Sequence, residues 1–438
     1  MELCTKFFLC TFGCRCNQAD SAGMRARLCG ASLQETRNSS DADLIVVNTC
    51  TVTRRADQQA RQAVRRLQRK NPNATLVVTG CYAERDPETL AAIPGVDLVL
   101  GNAERERLAE LWQSSTGDGA KILKSPLESD LRVLIPGELN AGANTRPYLK
   151  LQDGCNGRCS YCIVPSVRGR GRSAHPEDVL SEIRCLAGQG YQEIVLTGVH
   201  LGSYGRRLSP PVPLADLLLR ILETPGLGRL RLSSVEPMGF DRAIVRLAAG
   251  HRNFAPHFHI PLQSGSNRIL RRMRRPYTVE RFLDLLAFIH SSLPDAGLGT
   301  DLLVGFPGET DEDFETTCEV VRRSPLTYLH VFPFSAREGT EACTMPDQVP
   351  PRVIRERCGI LRKISRARNF QFRRRFLGQI LPAISLAKEE ELGESIALTG
   401  NYIHVSVAGS AVIPNRLIQV RIDEVRVDQT LASVVPPS

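Results

Sequence analysis

The sequence predicts an α/β protein with three domains: an N-terminal open parallel-sheet domain, a central partial (β/α)6 barrel and a small C-terminal β-barrel. Short apolar runs alternate with amphipathic helical patterns up to residue 128, and a second alternation of this kind begins at residue 146. After residue 369, β-type residues alternate between glycine-containing turns. A chain of 438 residues is also too long for one typical core. We therefore expect domains at 1–128, 146–368 and 369–438.

The first domain contains three candidate strands, each followed by a cysteine. The strands are Lys6–Thr11, Leu44–Asn48 and Thr75–Thr79, and a basic helix is expected at 58–69. The cysteines after them are Cys14, Cys50 and Cys81. The carboxyl ends of parallel strands face one crevice, so these three thiols should converge. From the spacing alone, they are as well explained as buried core thiols.

The second domain shows six β/α units. Its predicted strands are Tyr148–Gln152, Glu193–Thr197, Arg229–Ser233, His257–Pro261, Gly299–Val304 and Tyr328–Phe332. Six units favour a partial barrel, in which the chemistry lies at the carboxyl ends of the strands. The preceding stretch, at 129–145, is rich in glycine, proline and asparagine and is expected to be a linker.

A basic helical segment at 352–375 joins the second domain to the third. It contains the single acidic residue Glu356 among nine arginines and one lysine. Such a charge run is typical of a solvated helix face or of an RNA-binding surface, and the sequence leaves both readings open. Beyond it, the runs 403–407 and 417–427 predict strands of a small closed β-barrel.

The composition favours a cytoplasmic protein that binds nucleic acid, and it excludes disordered and fibrous classes. The formal net charge is +9, and arginine carries most of it. An excess of this kind is equally compatible with a surface charge that only keeps the protein in solution. Fourteen cysteines without a secretory leader pattern indicate a reducing compartment and metal ligation rather than disulfides. The apolar stretch Phe7–Phe12 is far shorter than the ~18 residues that a membrane span needs.

The strongest local signal is a C-x3-C-x2-C motif just after a predicted strand. Its cysteines are Cys155, Cys159 and Cys162, in the run DGCNGRCSYCIVP. Three thiolates can bind a four-iron cluster and leave one iron without a protein ligand. That iron is then open to a substrate or a cofactor. A zinc loop is the alternative, but structural zinc needs four ligands and no second C-x2-C pair lies near.

The chain resembles the radical S-adenosylmethionine methylthiotransferases over almost its full length, above all their branch that acts on threonylcarbamoyladenosine in tRNA. The matching segments are TFGCRCNQADS, VVNTC, TGCYAE, LQDGCNGRCSYCIVPSVRGRGRS, EIVLTGVHLGSYG, HFHIPLQSGSNRILRRMRRPYT, TDLLVGFPGETDEDF and HVFPFSAREGT. The last domain resembles the RNA-binding TRAM barrel of this family only loosely, through LTGNYIHVSV.

This resemblance implies two [4Fe-4S] clusters and S-adenosylmethionine as cofactors. It assigns the second cluster to Cys14, Cys50 and Cys81, and it leaves Cys16 either as an alternative ligand or as a core residue. By analogy with the enzyme class, the residues expected at S-adenosylmethionine are Thr197, Gly198, Glu236, Gln263 and Ser264. The sequence assigns no catalytic side chain.

The implied reaction adds a methylthio group to C2 of N6-threonylcarbamoyladenosine at position 37 of tRNA. The expected partners are tRNA carrying this nucleoside and an electron donor such as flavodoxin or ferredoxin. Basic residues near strand ends on the presumed active face could hold RNA phosphates, and we select Arg168, Arg170, Arg172, Arg271 and Arg272.

Three alternatives stay open. Within the same family, the substrate could be isopentenyladenosine in tRNA or an aspartate of a ribosomal protein. From a different class, the chain could be a non-enzymatic RNA-binding protein stabilised by zinc. The metal content separates these classes, because two four-iron clusters require about eight irons per chain.

Overall fold

The structure, a computed structural model, describes residues 5–113, 120–127, 145–386, 395–407 and 412–436. Within these ranges it confirms the predicted fold class: a parallel sheet, a partial barrel and a closed β-barrel follow one another along the chain. The predicted linker at 129–145 lies outside the described residues except for Thr145. The domain boundaries stay predictions.

The N-terminal domain is a six-stranded parallel sheet in the order β2-β1-β3-β4-β5-β6. The strands are β1 (Lys6–Thr11), β2 (Gln34–Glu35), β3 (Leu44–Thr49), β4 (Thr75–Gly80), β5 (Leu98–Leu100) and β6 (Lys121–Leu123). The helices are α1 (Arg15–Gly30), α2 (Arg54–Lys70), α3 (Cys81–Arg85), α4 (Pro87–Ala91) and α5 (Leu108–Gln113).

Both faces of this sheet are covered, which explains why β3 reads as a continuous apolar run. Ile45 and Val47 pack under α2, whereas Leu44 and Val46 pack on the opposite face with Met24 of α1. Side chains alternate between the two faces of a strand, so a strand buried on both sides has no polar alternation. The same topology brings the carboxyl ends of β1, β3 and β4 side by side.

The central domain is an arc of six parallel strands with a short antiparallel strand, β8, at one edge. The strands are β7 (Tyr148–Asp153), β8 (Arg172–Ser173), β9 (Glu193–Gly198), β10 (Arg229–Leu232), β11 (His257–His259), β12 (Gly297–Val304) and β13 (Tyr328–Pro333). The helices are α6 (Val164–Arg168), α7 (Pro176–Gly188), α8 (Leu214–Leu222), α9 (Ala243–Gly250), α10 (Asn267–Arg272), α11 (Val279–Ser292), α12 (Asp311–Arg323) and α13 (Pro351–Arg374).

The arc consists of two sheets joined by isolated bridges. The order is β10-β9-β7-β8 in one sheet and β11-β12-β13 in the other. Ser234 and His259 form one of the parallel bridges that connect β10 to β11. The arc is therefore a partial barrel, as predicted, with its largest apolar core between strands and outer helices.

The C-terminal domain is a closed barrel in the order β14-β15-β16-β18-β17. Its strands are β14 (Ile380–Ser385), β15 (Ser395–Thr399), β16 (His404–Val407), β17 (Leu417–Val425) and β18 (Thr430–Val435). Arg231 attaches it to the central domain. This buried arginine pairs with Glu193 inside the central domain and also donates to the carbonyls of Thr399 and Gly400 in the barrel. No helix in the described part of the chain is both long and apolar enough to cross a membrane.

The basic helix α13 is not simply a solvated face. Arg357 is buried and pairs with Glu309, and Arg373 donates to the carbonyl of Gln429 and the hydroxyl of Thr430. Arg368 donates to the carbonyls at the end of α12 and after it. Arg357 and Arg368 therefore attach α13 to the central domain, and Arg373 attaches its C-terminal end to the β-barrel.

Candidate active site

The carboxyl ends of the strands in the first two domains open into one cavity of about 380 Å³. Val52 and Thr53, which follow β3, form one part of its wall. Cys155, Cys159 and Cys162, which follow β7, form another. The loop that follows Cys50 and the loop that carries Cys155, Cys159 and Cys162 therefore border the same space.

The loop after β7 holds Cys155, Cys159 and Cys162 with their sulfur atoms accessible to donors. The amide N of Gly157 donates to Sγ of Cys155 across 3.2 Å. Nη1 of Arg275 donates to Sγ of Cys159 across 3.3 Å. A Cβ at Gly157 would lie 3.1 Å from Sγ of Cys155, so only glycine leaves this space clear.

Burial controls the protonation of two of these thiols, Cys155 and Cys162. It raises the pKa of Cys162 to about 12 and also raises the pKa of Cys155. Such thiols stay protonated at neutral pH until a metal replaces their protons. The trio thus has the donor set of a metal-sulfur site, and hydrogen bonds to its sulfurs are of the kind that tune iron-sulfur clusters.

Cys14, Cys50 and Cys81 converge at the carboxyl edge of the N-terminal sheet, as predicted. Gly13 has a φ of +104°, and a Cβ there would lie 3.0 Å from Sγ of Cys50. Burial, with smaller contributions from the nearby Cys81 and Cys14 thiolates, raises the pKa of Cys50 to about 12. Gly13 thus permits the close approach of the cysteine loops.

Cys14 and Cys16 are close enough to influence each other's ionisation. A side-chain hydrogen bond from Cys16 lowers the pKa of Cys14 to about 6. Cys14 is exposed to solvent, whereas Cys16 is buried with its Sγ 3.8 Å from Oγ1 of Thr197. The cysteines that the structure describes are all reduced.

Arg168 lies inside the protein, which does not agree with its predicted contact to RNA phosphate. Its side chain is only 3% exposed and donates to Asp153, Asp20 and the oxygen of Asn17. Its Nε donates to Sγ of Cys81 across 3.2 Å. A buried guanidinium that is fully paired is unavailable to a phosphate, so we correct its role to that of a link between the two domains.

The other predicted RNA contacts lie nearer the surface. Arg170 is exposed, and Arg172 is half-buried with Nη2 3.7 Å from Asp153. Arg170 and Arg172 line a groove together with Lys124 and Arg207. Arg170, Arg207 and Arg158 also line a depression beside Cys155. We call the set Lys124, Arg158, Arg170, Arg172 and Arg207 the basic groove.

The remaining two arginines differ from each other. Arg271 is exposed on α10. Arg272 is half-buried, and its Nε donates to the carbonyl of Pro307 across 3.1 Å. Neither lines the basic groove.

The residues predicted to contact S-adenosylmethionine fall into two groups. Glu236 and Gln263 line the cavity. Thr197 and Ser264 are buried beside it, and Gly198 packs against Gln152; these three are not part of the described cavity wall.

Sequence reasoning missed several side chains of the cavity. Arg275 pairs with Glu236, and burial raises the pKa of that carboxyl although Arg275 opposes the change. His200 lies with Nδ1 3.8 Å from Sγ of Cys155, and Asp301 and Phe332 also line the wall. Arg275 belongs to the matching segment HFHIPLQSGSNRILRRMRRPYT, but no sequence pattern indicates that it is buried.

Comparison with known proteins agrees with this architecture. Residues 6–101 match the family described as "Uncharacterized protein family UPF0004", and residues 149–321 match the "Radical SAM superfamily". A radical S-adenosylmethionine methyltransferase, TsrM from Kitasatospora setae, shares the fold with a TM-score of 0.59 at 16% identity, over 78% of this chain and 77% of that chain.

Curated relatives align over nearly the whole chain. "Threonylcarbamoyladenosine tRNA methylthiotransferase MtaB" of Aquifex aeolicus is 36% identical, over 91% of this chain and 96% of that protein. The protein of the same name from Bacillus subtilis is 35% identical, over 94% and 92%. A "tRNA-2-methylthio-N(6)-dimethylallyladenosine synthase" of Pelotomaculum thermopropionicum is 36% identical, over 82% of both. The chain belongs to the radical S-adenosylmethionine methylthiotransferase family.

Proposed function

We propose that this protein adds a methylthio group to C2 of N6-threonylcarbamoyladenosine in tRNA. The observation that carries the proposal is the shared cavity, which is lined both by residues after β3 and by the cysteine loop after β7. A reaction that joins sulfur delivery to radical chemistry needs both centres near one substrate atom. The relatives named for threonylcarbamoyladenosine support the choice of nucleoside.

The cysteines fit the two [4Fe-4S] clusters that the family implies. Cys155, Cys159 and Cys162 would hold the cluster that binds S-adenosylmethionine, and Cys14, Cys50 and Cys81 would hold the other. Three observations support this fit: these cysteines form no disulfide, glycines beside Cys50 and Cys155 leave space around the sulfur atoms, and arginines donate hydrogen bonds to Cys159 and Cys81. When bound, these groups supply one-electron cleavage of the sulfonium and a site for the transferred sulfur.

The chain's own residues orient the ligands and exclude water. Glu236 and Gln263 present polar atoms to the cavity, where they would hold the amine and hydroxyl groups of S-adenosylmethionine. Arg275 fixes Glu236 and donates to Cys159, so it couples the cofactor pocket to the cysteine loop. Apolar side chains such as Phe332 and Phe334 complete the wall and shield reactive species from solvent.

The basic groove would position the RNA. It begins beside Cys155, and its side chains are those of a phosphate-binding surface rather than a base-reading one. A base in the anticodon loop must be extruded from its stack to enter the cavity, and phosphate contacts on both sides would hold it there. We also propose that a reduced flavodoxin or ferredoxin supplies the electron.

Mass spectrometry of tRNA nucleosides tests the function directly. Cells lacking the protein should lose 2-methylthio-threonylcarbamoyladenosine, and the wild-type gene should restore it while Cys155→Ala should not. Unchanged levels of this nucleoside, in cells with no second enzyme for it, would refute the assignment. Loss of the isopentenyl-type nucleoside instead would support the activity named for the Pelotomaculum relative.

A further inference from the structure

Three adjacent strands of the central domain bring together two imidazoles and a carboxylate. His259 stands at the end of β11, Asp301 lies in β12 and His330 lies in β13. One ligand atom from each lies within 4.8 Å of the others. Asp301 also lines the central cavity, and the His330 side chain is 47% exposed, so a small ion can reach the cluster from solvent.

The hydrogen bonds show which ring nitrogen of His259 is engaged and which is available to a ligand. Its Nδ1 lies 2.8 Å from Oγ of Ser234, a distance that orients the ring. Its Nε2 lies 3.2 Å from Oδ1 of Asp301, yet it has no hydrogen-bond partner among the described residues. His259 is only 4% exposed, so no bulk water satisfies that nitrogen. The nitrogen and the carboxylate oxygen therefore lie close together without the geometry of a hydrogen bond.

Two of the three separations match those between ligand atoms around a small transition-metal ion. His330 Nδ1 is also 3.2 Å from Oδ1 of Asp301. In a tetrahedral site with bonds of about 2.0 Å, neighbouring ligand atoms are roughly 3.3 Å apart. Imidazole with one carboxylate suits zinc or ferrous iron, and a hydroxyl on the second imidazole nitrogen is a common supporting contact.

From this geometry, we propose that His259, Asp301 and His330 form a mononuclear divalent-metal site with zinc-type chemistry, separate from the six cluster cysteines. Three protein ligands leave a coordination position that water or an oxygen atom of a bound ligand can occupy. The proposal does not depend on the methylthiotransferase function. The alternative is a purely hydrogen-bonded arrangement in which both imidazoles donate to Asp301 and no ion binds.

Zinc binding by the anaerobically reconstituted holoenzyme tests this site. After incubation with zinc and desalting, the wild type should keep about one zinc per chain, and X-ray absorption at the zinc edge should show only nitrogen and oxygen ligands. The half-exposed variant His330→Ala should bind zinc at least about tenfold more weakly, with its iron content unchanged. Ser234→Ala should weaken binding by about 10- to 100-fold.

The control is His290→Ala, which removes an exposed histidine on α11. It should bind zinc like the wild type. Sulfur ligands at the zinc edge would mean that zinc occupies empty cluster sites, and the proposal would be overturned. It would also be overturned if the wild type kept no zinc or if His330→Ala kept as much as the wild type. Far-ultraviolet circular dichroism and iron content verify the fold of each variant.

Discussion

Nε of Arg168 lies 3.2 Å from Sγ of Cys81, so a side chain from the central domain donates a hydrogen bond to a cysteine of the N-terminal sheet. The same guanidinium pairs with Asp153 of β7 and Asp20 of α1. One buried arginine thereby fixes the sheet edge relative to the barrel. The relative placement of the two cysteine groups depends on such contacts.

Replacing Arg168 by glutamine should destabilise the protein by about 3 kcal/mol. The substitution leaves Asp20 and Asp153 with one buried partner fewer, and uncompensated buried charge is costly. Denaturant unfolding of the purified protein measures the effect. Arg170→Gln, two residues further along and exposed, should change the stability by less than about 0.5 kcal/mol. Equal effects of the two substitutions would contradict the buried role.

Replacing Cys155 by alanine should remove about half of the iron. The reconstituted wild type should hold about eight irons per chain, and loss of one ligand from the C-x3-C-x2-C trio should leave about four. Iron analysis and the visible absorption of the clusters measure this. Cys185→Ala removes an exposed thiol on α7 and should leave the iron content unchanged. A Cys155→Ala protein with all of its iron would rule out this cysteine as a ligand.

The double substitution Arg170→Gln and Arg207→Gln should weaken tRNA binding without changing its sequence preference. Both side chains line the basic groove, and each lost phosphate contact should reduce the salt dependence of log K by about one. Fluorescence anisotropy at several salt concentrations gives the slope. Arg281→Gln, on the exposed face of α11, serves as the matched control. An unchanged slope in the double variant would exclude the groove as the phosphate contact.

Glu182 should make stability fall as the pH rises. Burial raises the pKa of this carboxyl from 4.5 to about 7, and its Oε1 has no partner among the described residues. A raised folded-state pKa favours the protonated form, so this group's contribution is full below about pH 4.5 and is lost as the pH rises through about 7. Glu182→Gln should therefore be more stable than wild type at pH 8, by roughly 1 to 2 kcal/mol.

Thermal or denaturant unfolding at pH 6 and pH 8 measures this difference. The advantage of the Glu182→Gln protein should shrink at the lower pH, because wild-type Glu182 is then largely protonated. Glu177→Gln, on the exposed side of the same helix, should show no such pH dependence. A pH-independent difference between Glu182→Gln and wild type would contradict the raised pKa.

Much of the fold was predictable because periodicity is a local property. The strand beginning at Lys6 was located to the residue, and the six barrel strands were found within about two residues at their ends. Strands β2, β5 and β6 were missed because two or three residues carry no measurable alternation. The break in strand pairing between β10 and β11 was also missed, because the sequence of a single strand does not show which strand it pairs with.

The candidate site was predictable only in part. The spacing of Cys155, Cys159 and Cys162 predicted them as ligands, which stays a prediction, and the sheet topology explains why Cys14, Cys50 and Cys81 follow neighbouring strands. Thr197 and Ser264 were placed in the cofactor pocket by analogy, yet they lie outside the described cavity wall. A strand end fixes the neighbourhood of a side chain but not the direction in which it points.

The sequence by itself determined the sulfur chemistry, the order of the three domains and the strands that carry the cysteines, because these depend on residue type and short-range spacing. Only the tertiary structure decided that Arg168 is buried while Arg170 is exposed, and that His259, Asp301 and His330 converge. The physical reason is that burial and convergence arise from contacts between segments far apart in the chain. Such contacts are set by packing across whole domains, which no local pattern of residues encodes.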